Sequence, residues 1–166
     1  MAGRLDDLAY LALREGERER ARELGRRAVE VAVEAGDVGN VAGTTQSLGD
    51  IALEAGDPEA AEQHYRGALR MSVALPHEDA LLAACCAGLA AALARQSRGA
   101  EAGRCRALAD RVVERAGIRE TGTPVDYRAH VTAALGAVGT AVYDAAYAAA
   151  QSVPLDDAIA EVGSAS

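Results

Sequence analysis

Residues 48–69 read as two helices joined by a tight turn, and the same pattern returns before and after them. Leu48 and Gly49 belong to the first helix, and Gly, Asp and Pro follow one another at the turn, at 56–58. Moving along the chain by 40 residues in one direction or 41 in the other brings small and apolar residues onto the same positions. A fixed period of this length is typical of a solenoid of helical hairpins, which generally acts by offering a surface.

The spacing resembles the tetratricopeptide repeat, in which Leu-Gly in the first helix is followed by a turn and then by Ala, an aromatic residue and Ala. Residues 42–75 carry this pattern in register at Leu48, Gly49, Ala61, Tyr65 and Ala68. The flanking copies have Gly25 and Arg106 at the aromatic position. Their period exceeds the usual one of about 34 residues, as in the long-helix repeats of large bacterial regulators. The resemblance implies an all-α solenoid, with a plain antiparallel helical bundle as the alternative.

The hydrophobic pattern has the helical period throughout, so we expect an all-α, tetratricopeptide-like helical-hairpin solenoid with a C-terminal helical cap. We predict that residues 1–166 form one domain, with hairpins at about 4–35, 38–75 and 77–117 and C-terminal helices at about 124–162. In the first helix Leu5, Leu8, Leu11 and Ala12 are expected to face inward, as is Val38 in the third. The helix at 77–96 is apolar all round, so it should be the centre of the fold.

Two turn sequences specify helix ends. Gly56 is expected to end the third helix, and Asp57 and Pro58 to cap and begin the fourth. Thr123 and Pro124 are expected to do the same for the helix at 124–138, with Asp126 at its third position.

Composition limits the classes of function. The 166 residues carry a net charge of -8, and all 17 basic residues are Arg. Between residues 14 and 30 Arg alternates with Glu, which predicts a solvated, self-paired helix face instead of a nucleic-acid site. The chain has no secretory leader pattern and no window of 18 uncharged apolar residues, so we predict a cytoplasmic protein that does not contact a membrane. Cys85, Cys86 and Cys105 suggest no disulfide framework.

The C-terminal segment carries a second resemblance. Val138-Gly139, Tyr143 and the residues at 155–160 are similar to the end of the helical-repeat region of large bacterial transcriptional activators of the LuxR type. Ala150 and Pro154 depart from that pattern, where Gly and Ser are usual. The resemblance implies the repeat region of a regulator, which docks a partner or senses a ligand, without the regulator's NTPase and DNA-binding segments.

Catalytic and metal-binding patterns are absent from the sequence. His64, His77 and His130 lack a Glu three residues earlier, and there is neither a Cys-x-x-Cys nor a His-Glu-x-x-His motif. Asp126 and His130 lie one helical turn apart, which predicts a surface ion pair and not a catalytic dyad. We therefore expect a non-enzymatic protein without a cofactor.

The first resemblance also implies a concave groove, lined by the first helix of each hairpin, that seats a peptide or a helix of a protein partner. Gln46, Asp50 and Glu54 lie on successive turns of one helix face, outside the expected core, and could together read an Arg or Lys of the partner. The predicted groove residues are Tyr10, Arg14, Gln46, Asp50, Glu54 and Arg95, and the further exposed inner positions are Leu13, Leu53, Ala87, Ala91 and Ala94.

The function predicted from these observations is protein interaction or ligand sensing, with a homodimer formed through the first helix because no polar helix precedes Leu5, Leu8 and Leu11. Two alternatives stay open. One is a homo-oligomeric structural scaffold without a small ligand, and the other is a small helical-bundle enzyme or metal protein.

Overall fold

The computed structural model describes residues 1–76, 78–118 and 125–164, and all regular structure within these ranges is α-helical. This confirms the predicted all-α class. The helices are α1 Ala2–Arg14, α2 Arg18–Glu34, α3 Val38–Ala55, α4 Pro58–Val73, α5 Asp79–Arg95, α6 Gly99–Ala116, α7 Tyr127–Val138, α8 Ala141–Ala150 and α9 Leu155–Ser164.

The turn between α3 and α4 has the predicted local chemistry. Gly56 ends α3 with a φ of 85°, a left-handed conformation that glycine adopts without a steric penalty. The Asp57 carboxylate accepts a hydrogen bond of 3.0 Å from the backbone N–H of Ala60, and Pro58 opens α4. In this hairpin α3 therefore ends at a glycine that allows the turn, and α4 begins after an aspartate that caps it.

Three hairpins, α1 with α2, α3 with α4, and α5 with α6, stack in chain order. The first helices of successive hairpins also contact one another, α1 with α3 and α3 with α5, which makes them the inner layer of the solenoid. This arrangement confirms the tetratricopeptide-like solenoid predicted from the repeat.

The C-terminal helices cap the solenoid on two sides. Helix α7 packs on α5 of the inner layer, α8 packs on α6, and α9 contacts α4 and α6. Helix α8 approaches α6 closely at Gly103, where a Cβ atom would collide with the backbone carbonyl oxygen of Tyr143. Asp126, not Thr123, is the N-cap of α7, because its carboxylate accepts a 3.0 Å hydrogen bond from the N–H of Ala129. Thr123 and Pro124, like His77, lie outside the described residues.

The core is centred on α5, as the sequence predicts, with 12 of its 17 residues buried. The ring of Tyr65 lies beside it, in a space that two glycines leave open. A Cβ atom would lie 2.7 Å from this ring at Gly49 of α3, and 2.5 Å from it at Gly88 of α5. The glycine and aromatic positions of the central repeat, Gly49 and Tyr65, therefore meet at one close helix crossing, to which Gly88 of α5 also contributes.

The predicted inward positions of α1 and α3 are partly wrong. Leu8 and Leu11 are 46% and 50% exposed, and Val38 is also exposed. The inward stripe of α1 consists of small residues, Ala2, Ala9 and Ala12, of which the sequence predicted Ala12. Because alanines let α1 approach its neighbours closely, the larger leucines lie on the outer side.

We expect Gly88→Ala to destabilise the domain by about 1 to 3 kcal/mol, because the added methyl group overlaps the buried Tyr65 ring. Gly43→Ala is the matched control, since a Cβ atom at this helical position meets nothing within 4 Å. It should be neutral or stabilising by up to about 1 kcal/mol. Urea unfolding measures both variants, and equal effects would contradict the close packing of Gly88 against Tyr65.

Candidate functional site

A buried carboxylate lies at the centre of the inner layer. Asp50 of α3 is 0% exposed. Its Oδ1 atom accepts hydrogen bonds from the hydroxyls of Tyr65, at 2.7 Å, and Tyr127, at 2.6 Å. Its Oδ2 atom accepts from the Tyr10 hydroxyl at 2.5 Å and from Gln46 Nε2 at 2.6 Å. We call these five residues the Asp50 cluster.

The cluster joins four helices. Its tyrosines come from α1, α4 and α7, and Asp50 and Gln46 lie one turn apart on α3. The rings of Tyr65 and Tyr127 meet edge to face, with centroids 6.2 Å apart. Gln46 Nε2 also donates to the Tyr127 hydroxyl at 2.9 Å, so Tyr127 is held by two partners on α3.

The electrostatics of the cluster favour a structural role. Burial raises the pKa of Asp50, and the hydrogen bonds that it accepts oppose that increase. Burial, together with the charge of Asp50, raises the pKa of the Tyr65 and Tyr127 hydroxyls. The tyrosines therefore stay protonated and act as donors, and Asp50 acts as their common acceptor.

A second carboxylate lies beside the cluster. Asp6 Oδ2 accepts a 2.9 Å hydrogen bond from the Ser47 hydroxyl, whereas its buried Oδ1 has no hydrogen-bond partner among the described residues. Burial raises the pKa of Asp6 to about 6, the Ser47 bond opposes the increase and the charge of Asp50 adds to it. Folding therefore removes water from the Asp6 carboxylate without giving its Oδ1 a hydrogen bond from the described residues in exchange.

His130 connects α7 to two inner helices. Its Nδ1 lies 2.9 Å from Arg95 Nη1 of α5, and its Nε2 lies 2.8 Å from Glu54 Oε1 of α3. A guanidinium can only donate, so Nδ1 is the acceptor and Nε2 carries the hydrogen that is donated to Glu54. Tyr127 and His130 together attach one face of α7 to α3 and α5.

The structure brings five of the six predicted groove residues together around α7. Tyr10, Gln46 and Asp50 belong to the cluster, and Glu54 and Arg95 hold His130. Arg14 stands apart on the exposed surface of α1. The predicted pair between the Asp126 and His130 side chains does not form, because each side chain has other partners.

The exposure predicted for several inner positions is wrong. Asp50 lies inside the core because tyrosines from three other helices surround it. Leu53 is buried as well. Helix α7 packs on α5, and the three inner alanines of α5 are also buried: Ala87, Ala91 and Ala94. The groove that the repeat predicts is therefore occupied by the chain's own α7.

Sequence reasoning missed Tyr127 and His130 as groove contacts. They lie three residues apart on one helix face. Tyr127, Val131 and Leu135 are spaced four residues apart and therefore form an apolar stripe along the same helix. This pattern of an aromatic and apolar stripe with a polar neighbour was the available signal.

A cavity of about 230 Å³ lies where α8 and α9 meet α6. Its apolar walls include Leu93, Leu108, Val153 and Val162, and Arg104 and Arg111 also line it. Arg111 Nη1 donates to the Ala150 carbonyl at 3.0 Å, which ties α6 to α8.

Within the described ranges no group of three or more His, Cys, Asp or Glu residues is arranged to hold a metal ion. Cys85, Cys86 and Cys105 are free and buried. None of the helices in the described part of the chain is long and apolar enough to cross a membrane.

We expect Asp50→Ala to cost about 3 to 5 kcal/mol, because it leaves buried tyrosine hydroxyls without their acceptor. Glu54→Ala, one turn along the same helix, should cost less than about 1 kcal/mol because its partner His130 reaches it near the surface. Chemical denaturation followed by circular dichroism compares the two. Equal stabilities for both variants would show that Asp50 is not the centre of the core.

Because the pKa of Asp6 is raised, we expect Asp6→Asn to increase the stability of the fold by an amount that depends on pH. The folded protein binds the Asp6 proton more tightly than the unfolded chain, so the wild type loses stability as the pH rises from 3.8 to about 6. The variant should match the wild type near pH 4 and exceed it by roughly 1 kcal/mol at about pH 8, after discounting for solvent screening. Thermal unfolding across pH measures the difference, and Glu34→Gln, an exposed change of equal charge, is the control for the loss of one negative charge.

Comparison with known proteins supports the repeat assignment. Residues 2–72 match the family model described as tetratricopeptide repeat, a segment that spans the first two hairpins. No curated protein and no solved structure matches the chain. The family match covers the first two hairpins, and the third hairpin stacks on them in the same way. Together they support a tetratricopeptide-like helical-repeat fold, and tetratricopeptide repeats are generally protein-binding and non-catalytic modules.

Proposed function

We propose that this domain binds a helical segment of a protein partner on its inner face, and that α7 occupies this face until the partner displaces it. One observation carries the proposal: residues predicted as a partner groove, Gln46, Glu54 and Arg95, contact two side chains of α7. A groove that already holds one helix has the shape and the polar groups to hold another.

The contacts of α7 define the chemistry of such a partner. It would be an amphipathic helix with a tyrosine that donates to Asp50 and a hydrogen-bonding side chain three residues later that meets Glu54. Apolar residues at the positions of Val131 and Leu135, which are buried in α7, would fill the surface of α5. The acidic groups at Asp50 and Glu54 favour donors over acceptors.

A labelled peptide with the sequence of residues 125–138 tests this proposal. In the full chain, Leu135→Asp places a charge in the buried face of α7 and should release that helix. Fluorescence anisotropy should then show that the peptide binds the variant about tenfold or more tightly than the wild type, whose own α7 competes.

Two controls keep the experiment specific. A peptide with alanine in place of Tyr127 lacks the hydroxyl that meets Asp50 and should bind the variant weakly. Circular dichroism checks that the remaining helices of the variant are folded. A folded variant that binds neither peptide, or both equally, would contradict a displaceable α7.

Ligand sensing is a second candidate, favoured by the cavity between α6, α8 and α9. A small apolar molecule in this cavity would contact the C-terminal helices and the repeats at once. Its binding would therefore favour the docked position of those helices.

The C-terminal resemblance supports a more specific proposal, that the domain is the helical-repeat region of a bacterial transcriptional regulator that acts in the cytoplasm. The support lies in Val138-Gly139, Tyr143 and the residues at 155–160. The net charge of -8 is consistent with a region that binds protein and leaves DNA to another segment.

Self-association is a further part of the proposed function. The exposed leucines of α1, Leu8 and Leu11, give the domain an apolar surface away from the groove. A homodimer formed there would leave the inner face free for α7 or its competitor.

A further inference from the structure

Two leucines and two charged residues form a narrow exposed stripe along one face of α1. Arg4, Leu8, Leu11 and Glu15 follow one another at intervals of four, three and four residues, so they lie on one side of the helix. All four are exposed. We call them the α1 seam. Asp7 and Arg14, two turns apart, run beside the seam on the same flank.

The charged side chains of the seam and its flank form no hydrogen bond or ion pair within the described part of the chain, although the charge of Glu15 acts on nearby Arg20 of α2. These side chains are those of Arg4, Asp7, Arg14 and Glu15, and all four are exposed. The neighbouring helix α2 differs, because its arginines pair with glutamates three residues away: Arg20 with Glu17, Arg22 with Glu19, Arg26 with Glu23 and Arg27 with Glu30.

We propose that the α1 seam binds the α1 seam of a second copy in antiparallel orientation. A two-fold axis between Leu8 and Leu11 places Leu8 of each copy against Leu11 of the other. The same operation places Arg4 of each copy beside Glu15 of the other, at both ends of the contact. The inference rests on the self-association proposed above and specifies its geometry.

The flanking charges fit the same orientation. A two-fold axis perpendicular to both helices keeps each flank on its own side, so Asp7 of one copy comes within one helical turn of Arg14 of the other. A parallel pair would instead place Arg4 beside Arg4 and Glu15 beside Glu15. The charge pattern therefore matches the antiparallel pair and opposes the parallel one.

The helix dipole supports this orientation as well. Arg4 lies in the first turn of α1, and Glu15 is its C-cap residue, so each charge is on the unfavourable end of its own helix. In the antiparallel pair, Arg4 lies beside the C-terminus of the partner helix, and Glu15 beside its N-terminus. The dipole of the partner helix therefore compensates for the unfavourable interaction of Arg4 and Glu15 with the dipole of their own helix.

Charge exchange tests the seam in the full chain. Sedimentation velocity over a concentration series should show a reversible dimer for the wild type. Arg4→Glu and Glu15→Arg should each weaken it about tenfold or more, because each creates two like-charge contacts. The double variant, which carries both substitutions, restores opposite charges and should dimerise like the wild type. Arg26→Glu is the matched control and should change nothing, because Arg26 pairs with Glu23 and lies on the side of α2 that faces α3 and α4.

Mixing the two single variants gives an independent measurement. In their heterodimer the two substituted side chains face each other with opposite charges, and the native Arg4 of one chain faces the native Glu15 of the other. The heterodimer should therefore form at concentrations where neither variant dimerises alone.

Each remaining outcome overturns a defined part of the proposal. A monomeric wild type at high micromolar concentration would overturn both the dimer and its geometry. A dimer that ignores the exchanges, or a double variant that stays monomeric, would overturn the antiparallel seam and leave self-association standing. None of these outcomes bears on the binding of a helix to the inner face.

Discussion

The Asp50 carboxylate is the interaction on which the inner layer depends. A buried charge is costly unless it is hydrogen-bonded, and Asp50 meets that condition with three tyrosine hydroxyls and one amide. These donors come from α1, α4 and α7 as well as from α3 itself. A shift of any of these helices would leave a donor or acceptor unpaired, so the cluster fixes how the first two hairpins and α7 lie relative to one another.

Much of the fold could be predicted from local patterns. Gly56, Asp57 and Pro58 act within one turn of the chain, and Tyr65 occupies a repeat position, so their roles follow from spacing alone. The buried state of Asp50 could not be predicted in this way, because its tyrosine partners lie 40, 15 and 77 residues away. Helical periodicity places Asp50 on the inner face of α3 but does not tell what covers that face.

The position of α7 explains why a predicted groove became part of the core. A helix linked to the domain by a short segment has a high effective concentration at the inner face, so moderate contacts suffice to keep it there. The contacts at its polar edge are of that kind, since the Glu54 side chain that holds His130 is 39% exposed. The same linkage sets the requirement for any partner, which must bind more tightly than an occupant that is always nearby.

The Asp50 cluster also determines what the inner face would be without α7. Asp50 would lose the Tyr127 hydroxyl but keep those of Tyr10 and Tyr65, together with Gln46. Loss of one hydrogen bond to a charged group costs about 1.5 to 3 kcal/mol, which is less than the roughly 3 to 5 kcal/mol expected when the Asp50 carboxylate itself is removed. Three of the four donors to Asp50 therefore belong to the repeats themselves and do not depend on α7. Asp50 Oδ1 would then be an acceptor short of one donor, and a partner helix with a hydroxyl at that position would restore it.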